Sequence, residues 1–346
     1  MREDFMDILK ESAIQNALLE FDQLEDHDPC KEDRIFTKLG PKILSHQPFD
    51  SFCDYVEFLR RIRDKNQEQY ERIHKGTPFF ILAVLAFDLR NYEKTLYYLD
   101  AAIYEDIKNG GTIWRELPAA LFYRLSKSGH AATRFTMHIR KLLSAQINRF
   151  NDISKLPVID IDIFIEKFVI KLMESPEYRI IITAFYVFLL ESEERLIELR
   201  LKSTHGSSLG PIIAHSFSGS LIFESILKYL YPTGDKGKPN KTLNDIFNTT
   251  EFKDDFKIKV KTHSDSFQSI LKAVKDNSLI TAFNTVAKIR NTTGHNLVWD
   301  NVFQEAKDYE NIVDQIMNAL LYLIEKEFLQ KAKNEDLLKI GVEKTT

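Results

Sequence analysis

Residues 78–106 read PFFILAVLAFDLRNYEKTLYYLDAAIYED, and this stretch decides the fold class. Its apolar residues recur at steps of three and four, the period of one helix face, rather than at the step of two that marks a half-buried strand. The pattern predicts an apolar helix over 79–89, a polar turn at Arg90-Asn91, and an amphipathic helix over 92–104. Ala101 and Ala102 are small enough to let two helix axes approach closely.

The same period extends in both directions. Phe5, Ile8, Leu9, Ile14, Ala17 and Leu18 open the chain at helical steps, and Asp28-Pro29 interrupts them. A long helix is predicted over 49–74, then helices over 114–125, 131–150, 163–173 and 175–201. Residues 157–162 alternate apolar and acidic residues as a short strand would, but read better as a loop with Asp160 or Asp162 as helix N-cap. KSTHGSSLGP at 202–211 is small, polar and closed by proline, a boundary signal. Beyond it, helices are predicted over 212–230, 264–274, 279–291 and 302–329, with a short one at 243–247. With 12 Gly and 10 Pro in 346 residues, too few breakers are present for a turn-rich sheet protein. The expectation is an all-α chain in two parts: a helical-hairpin array over 1–205 and a helical bundle over 206–335.

Composition bounds the function. Hydrophobic residues at 44% and charged residues at 28% are an ordinary globular balance. A net charge of −4 argues against coating nucleic acid by bulk electrostatics, while leaving room for a site that engages a few phosphates. Cys30 and Cys53 are too few for a disulfide framework or a zinc cluster, so reduced thiols and a cytoplasmic setting are expected, with no metal and no cofactor. The N-terminus lacks a basic start followed by an apolar core, so no secretory leader is expected. The most apolar run, 180–190, is shorter than the about 20 residues a bilayer requires and reads as a buried core helix.

Leu82, Ala86, Tyr92, Leu96, Leu99, Ala102 and Ile103 resemble a tetratricopeptide-type hairpin; a generic αα-hairpin fits the same residues, and no second copy follows at that period. The N-terminal helices are expected to hold a protein partner or to regulate.

IRNTTGHNLVWD at 289–300 carries the chemistry. Four residues separate Arg290 from His295, and on a continuous helix the two would point about 140° apart. Thr292, Thr293 and Gly294 are poor helix formers, so the helix is predicted to end near Asn291, placing Arg290 and His295 at one rim of the bundle. Asn301 and Gln304 look like a capping box opening the last helix.

An arginine, an asparagine, three further residues and a histidine between the last two helices resemble the Arg-x(4–6)-His motif of HEPN domains. HSFSGSLIFESILKYLYP at 215–232 looks like a HEPN first helix, with Gly219 amid aliphatics, Glu224, and Leu227-Lys228 near its end. The final helix carries Tyr309, Ile312, Ile316, Leu320 and Leu323 on one face, and the resemblance covers about 207–329. It implies a metal-independent endoribonuclease acting on single-stranded RNA through the 2′-OH, with Arg290, His295 and Asn291 catalytic, in a homodimer joined through the C-terminal bundle. Such enzymes serve antiviral defence or act as toxins. Glu224, at helical spacing with Phe217, Leu221 and Leu227, is expected to support Arg290; a solvated glutamate at the stripe's edge is the alternative. The other reading of the whole is a non-catalytic interaction protein whose bundle dimerises or binds nucleotide or a protein.

Three weaker signals remain. His215 reads as a capping or surface histidine, Arg134, His138, Arg140 and Lys141 as a solvated basic face first and an RNA contact second, and 234–242 as a flexible loop, its lysines able to attract RNA, rather than a phosphate loop.

Overall fold

A computed structural model describes residues 2–24, 28–43, 48–127, 133–154, 156–201, 210–263, 266–274, 276–294 and 306–330. Among these the fold is all-α, without a β-sheet; one isolated bridge joins Thr233 and Pro239. No helix among the described residues is long and apolar enough to cross a membrane. The chain forms two compact units, Met1–His138 and Ile139–Thr346.

The first unit comprises α1 (Arg2–Asp22), α2 (Pro29–Ile43), α3 (Pro48–Lys65), α4 (Gln67–Arg72), α5 (Gly76–Asp88), α6 (Tyr92–Gly110), a 3-10 turn (Gly111–Glu116) and α7 (Pro118–Tyr123). The predicted hairpin is α5–α6. Leu82, Ala86, Leu96, Leu99, Ala102 and Ile103 are all buried, Leu82 in the core shared with α1, α2 and α3. Arg90 adopts φ 55°, a left-handed turn residue, and Asn91 then caps α6 by accepting from the Lys94 N–H at 3.1 Å. The core of α1, α2 and α3 is aromatic, with Phe21, Phe36 and Phe58 in sequential ring contact at 5.1 and 6.3 Å.

Two sequence expectations change here. The helix predicted over 49–74 is two helices, because the Asn66 side chain accepts from the Gln69 N–H and restarts the chain as α4. The helix predicted over 114–125 is a 3-10 turn and a short helix divided at Leu117-Pro118, since proline favours the first turn of a new helix.

The helix α8 (Thr133–Ile153) carries the chain into the second unit. There α9 (Ile161–Phe164), a π-turn (Ile165–Ile170) and α10 (Lys171–Met173) form one continuous rod, which Asp160 caps as expected. Next come α11 (Pro176–Leu201), α12 (Gly210–Leu230), α13 (Leu243–Phe247), α14 (Thr250–Phe256), α15 (Phe267–Ala273), α16 (Leu279–Thr293) and α17 (Ala306–Ile324), the last prolonged by a π-turn (Glu325–Gln330).

The bundle consists of α11, α12, α16 and α17. From Gln315 to Ile324 every residue of α17 is buried, so this is the central helix, apolar well beyond one stripe. The notch left by Gly219 lets α12 close on its neighbours: a Cβ there would lie 2.5 Å from Phe188 of α11 and 2.8 Å from Ile316 of α17. The unit division thus falls upstream of the 202–211 segment taken as a boundary, because α11, with Ile181, Phe185, Phe188 and Leu189 buried, walls the bundle. Residues 202–209 and 331–335 lie outside the described residues.

Candidate functional site

The Arg290 site is built from α12 and α16. The helix α16 begins at Ser278, whose side chain caps Thr281, and runs through Thr293, two residues beyond its predicted end. Thr293 is buried, and its packing keeps the β-branched pair helical; the Gly294 N–H closes the end on the Arg290 carbonyl at 3.1 Å. Arg290 therefore stands on the last turn of a helix, as the sequence predicts.

Glu224 of α12 faces it. This glutamate is buried, and its Oε2 accepts from Arg290 Nε while Oε1 pairs with Lys228 Nζ at 2.7 Å. The solvated alternative is thereby replaced by a buried carboxylate shared between two cations, the arrangement that makes burying its charge tolerable. The Arg290 guanidinium also lies over the Phe217 ring, 5.6 Å from its centroid, and keeps 29% of its side-chain surface. Gly294 leaves space for it, since a Cβ there would meet Arg290 Nη1 at 2.6 Å. One guanidinium edge is fixed by a carboxylate, one face rests on an aromatic ring, and the remaining N–H groups are available to a phosphate.

Asn291 is engaged elsewhere: its Nδ2 donates to the Thr262 carbonyl at 2.9 Å, so its amide holds the segment before α15. His295, Asn301 and Gln304 lie outside the described residues. Of the predicted site residues, the structure brings Arg290 and Glu224 together and turns Asn291 toward the backbone of Thr262.

His215 is a correction. It is buried rather than capping or exposed, stacked on Phe188 at 4.4 Å with an interplanar angle of 6°. A carbonyl can only accept, so the Nε2–H donates to Phe188 O at 2.8 Å; Nδ1 then accepts from the Tyr309 hydroxyl at 2.8 Å. Burial pushes its pKa down to about 4, opposed by the bond to Phe188 and reinforced by Arg195, so the ring is a neutral packing element. The sequence held no signal for this, because the partners lie 27 and 94 residues away.

The other sequence signals resolve into local structure. Arg134 pairs with Asp88 at 3.1 Å, and Arg140 pairs with Asp162. Residues 232–240 form a closed turn, with the Gly237 N–H on Gly234 O at 2.8 Å, while Asp235 caps α14 through the Thr250 N–H at 2.9 Å. Cys30 and Cys53 are free and exposed. Among the described residues no group of three His, Cys, Asp or Glu side chains is arranged for a metal ion.

A separate cavity of about 400 Å³ lies between α8, α11 and α17, floored by Leu142, Leu189 and Val313. Its rim carries Arg149 and Arg200 against Glu193, Glu310 and Asp314. Three carboxylates against two guanidiniums disfavour a nucleotide phosphate there.

No family model matches the chain, and no curated protein or solved structure matches it either.

Proposed function

We propose that the chain is a metal-independent, HEPN-type endoribonuclease acting on single-stranded RNA. The observation carrying this reading is the partly exposed Arg290 guanidinium, oriented by Glu224 and Phe217 on the last turn of α16 and followed after four residues by His295.

RNA supplies its own nucleophile in the 2′-OH. Cleavage then requires a base for that proton, an acid for the departing 5′-oxygen, and positive charge for the phosphorane-like transition state. His295 is the proton-transfer group, and Arg290 offers its free N–H groups to the phosphate oxygens. Glu224 contributes orientation: with Nε held, the guanidinium presents a fixed edge rather than a mobile one. One histidine per chain supplies either the acid or the base, so a two-fold homodimer pairing two motifs completes the machinery. The products are a 2′,3′-cyclic phosphate and a free 5′-OH. In this reading the N-terminal helices, tetratricopeptide-like at α5–α6, regulate or recruit, and the enzyme serves antiviral defence or acts as a cytoplasmic toxin.

The pairing of Arg290 with Glu224 also suits a second reading, a non-catalytic bundle in which the ion pair only ties α12 to α16. Incubation of single-stranded RNA with the protein in EDTA separates the two. EDTA-resistant cutting that leaves cyclic phosphate ends and disappears in His295→Ala is expected; cutting that survives this substitution, or none by wild type, rejects the ribonuclease.

A further inference from the structure

Residues 257–263, KIKVKTH, are the one described stretch in which basic residues alternate at a step of two beside α16. Lys257 ends α14 in the left-handed conformation, φ 51°, with its N–H on Lys253 O at 2.8 Å, and this turn releases the chain into a non-helical segment whose burial alternates at a step of two, the signature of extended backbone. Lys257, Lys259, Lys261 and His263 are exposed, whereas Ile258, Val260 and Thr262 are half-buried, so the basic side chains share the solvent side. Two asparagines of α16 hold the segment down. Asn284 Oδ1 accepts from the Lys261 N–H at 2.6 Å, and Asn291 Nδ2 donates to Thr262 O at 2.9 Å. Seven residues apart, they lie on one face of the helix. Asn291 is also the sequence neighbour of Arg290, so the strap reaches its second tether at the residue next to the proposed phosphate-binding guanidinium.

No ion pair within the described residues engages Lys257, Lys259 or Lys261. That contrasts with Arg134, Arg140 and Lys228, each matched to a carboxylate. Alternate residues of an extended chain stand about 6.6 Å apart, an interval that a phosphodiester strand can follow with one phosphate per lysine. In a chain of net charge −4, three unmatched ammonium groups in a row, tethered to the site helix, are a local reversal of sign.

We propose that 257–263 is the track for the sugar–phosphate backbone of single-stranded RNA, leading it to Arg290; this assignment of substrate contacts rests on the ribonuclease reading of that site. The track is sequence-independent, because lysine engages phosphate as a point charge and reads no base edge.

The test measures binding apart from cleavage. The full chain is titrated with a fluorescent 2′-O-methyl RNA, which lacks the nucleophile, at salt concentrations from 50 to 200 mM. Loss of three phosphate contacts flattens the slope of log affinity against log salt by about 2.1, so wild type weakens about 18-fold more over this range than the variant Lys257→Ser, Lys259→Ser, Lys261→Ser. A control, Lys31→Ser, Lys38→Ser, Lys65→Ser, removes the same charge from the N-terminal unit and should retain the wild-type slope. All three strap lysines are exposed, so the variant should keep the wild-type circular dichroism spectrum. Equal slopes for wild type and the strap variant, no binding by wild type, or equally tight capture of poly-glutamate would overturn the track, the last marking an acidic-protein surface instead. Cleavage of unmodified RNA is scored separately: strap-dependent binding without cutting sinks the ribonuclease alone, and cutting with strap-independent binding sinks the track alone.

Discussion

Gly219→Ala tests the bundle at its tightest point. The added methyl would lie 2.5 Å from Phe188 Cε2, 2.8 Å from Ile316 Cγ2 and 2.9 Å from Phe188 Cζ, all well inside van der Waals contact. Both neighbours are enclosed, Phe188 at 1% exposure and Ile316 at 0%, so neither can swing into solvent. Overpacking of this kind costs about 1–3 kcal/mol, and three simultaneous overlaps belong at the upper end. Replacing glycine by alanine inside a helix returns about 1 kcal/mol of intrinsic propensity. The net is a loss of about 2 kcal/mol, which for a unit of this size lowers the melting temperature by about 4–8 °C. Calorimetry of the full chain reads it as a shift of the transition belonging to the 139–346 unit. Phe188→Leu removes the ring that the methyl strikes, so the double variant should be more stable than the sum of the single changes by about 1–2 kcal/mol. Gly210→Ala, where a Cβ meets nothing within 4 Å, should cause no loss. Were Gly219→Ala to melt at or above the wild-type temperature, the close approach of α12 to α11 and α17 would be refuted.

Two further outcomes follow from buried charge. Glu224→Gln keeps the shape but removes the charge shared by Arg290 and Lys228; with those partners 29% and 40% exposed, the loss should be about 1–2 kcal/mol by denaturant titration rather than the about 3–5 of a sealed pair. An unchanged midpoint would show that the pair does not form. In the N-terminal unit, His74 Nε2 lies 3.0 Å from Asp106 Oδ1, with Glu105 and Asp33 also facing it; the Asp106 hydrogen bond holds the His74 pKa above 6.5 against desolvation. The partners do not mirror each other, since burial dominates at Asp106 and raises its carboxyl pKa, but that titration belongs to the acid range starting at 3.8. A raised histidine pKa adds stability fully present below the unfolded value and lost as pH climbs through the folded one. The unit should therefore weaken above pH 6.5, no more steeply than about 1.4 kcal/mol per pH unit, and His74→Gln should flatten that dependence in pH-resolved melting curves.

Helices were legible in the sequence where they bury an apolar stripe or start at a recognisable cap. Leu243–Phe247 occurs at its predicted bounds because Thr242 and Asp245 form a capping box. The pairing of Glu224 with Arg290 was only half readable: helical spacing with Leu227 pointed to a buried carboxylate, which needs a cation, but a solvated glutamate fitted the spacing as well. The Asn66 break was hidden inside a charged run where nothing apolar marks the helix change. The short α14, TEFKDDF, escaped because Phe252 and Phe256 are its only buried residues, too few to set a period. His215 could not be foreseen, since its buried ring is held by Phe188 and Tyr309, distant in the chain. The alternation Lys-Ile-Lys-Val-Lys was visible, but a step of two in an otherwise helical chain reads as loop until Asn284 and Asn291 are seen to pin it. Arg290 on the last turn of α16 was readable from the breakers that follow it, although Thr293 carried the helix two residues further.

The enclosure of the central helix bears on where this polypeptide can be cut. A fragment starting at 206 would keep α12, α16 and α17, yet it would lack α11 and bare the apolar flank of α12 and α17 that Phe188 and Leu189 now cover. A fragment starting at 139 retains every wall. Shortened versions intended for crystallisation or assay should respect that limit, because the shorter piece would present a sticky, solvent-facing gap where the intact molecule has an interior.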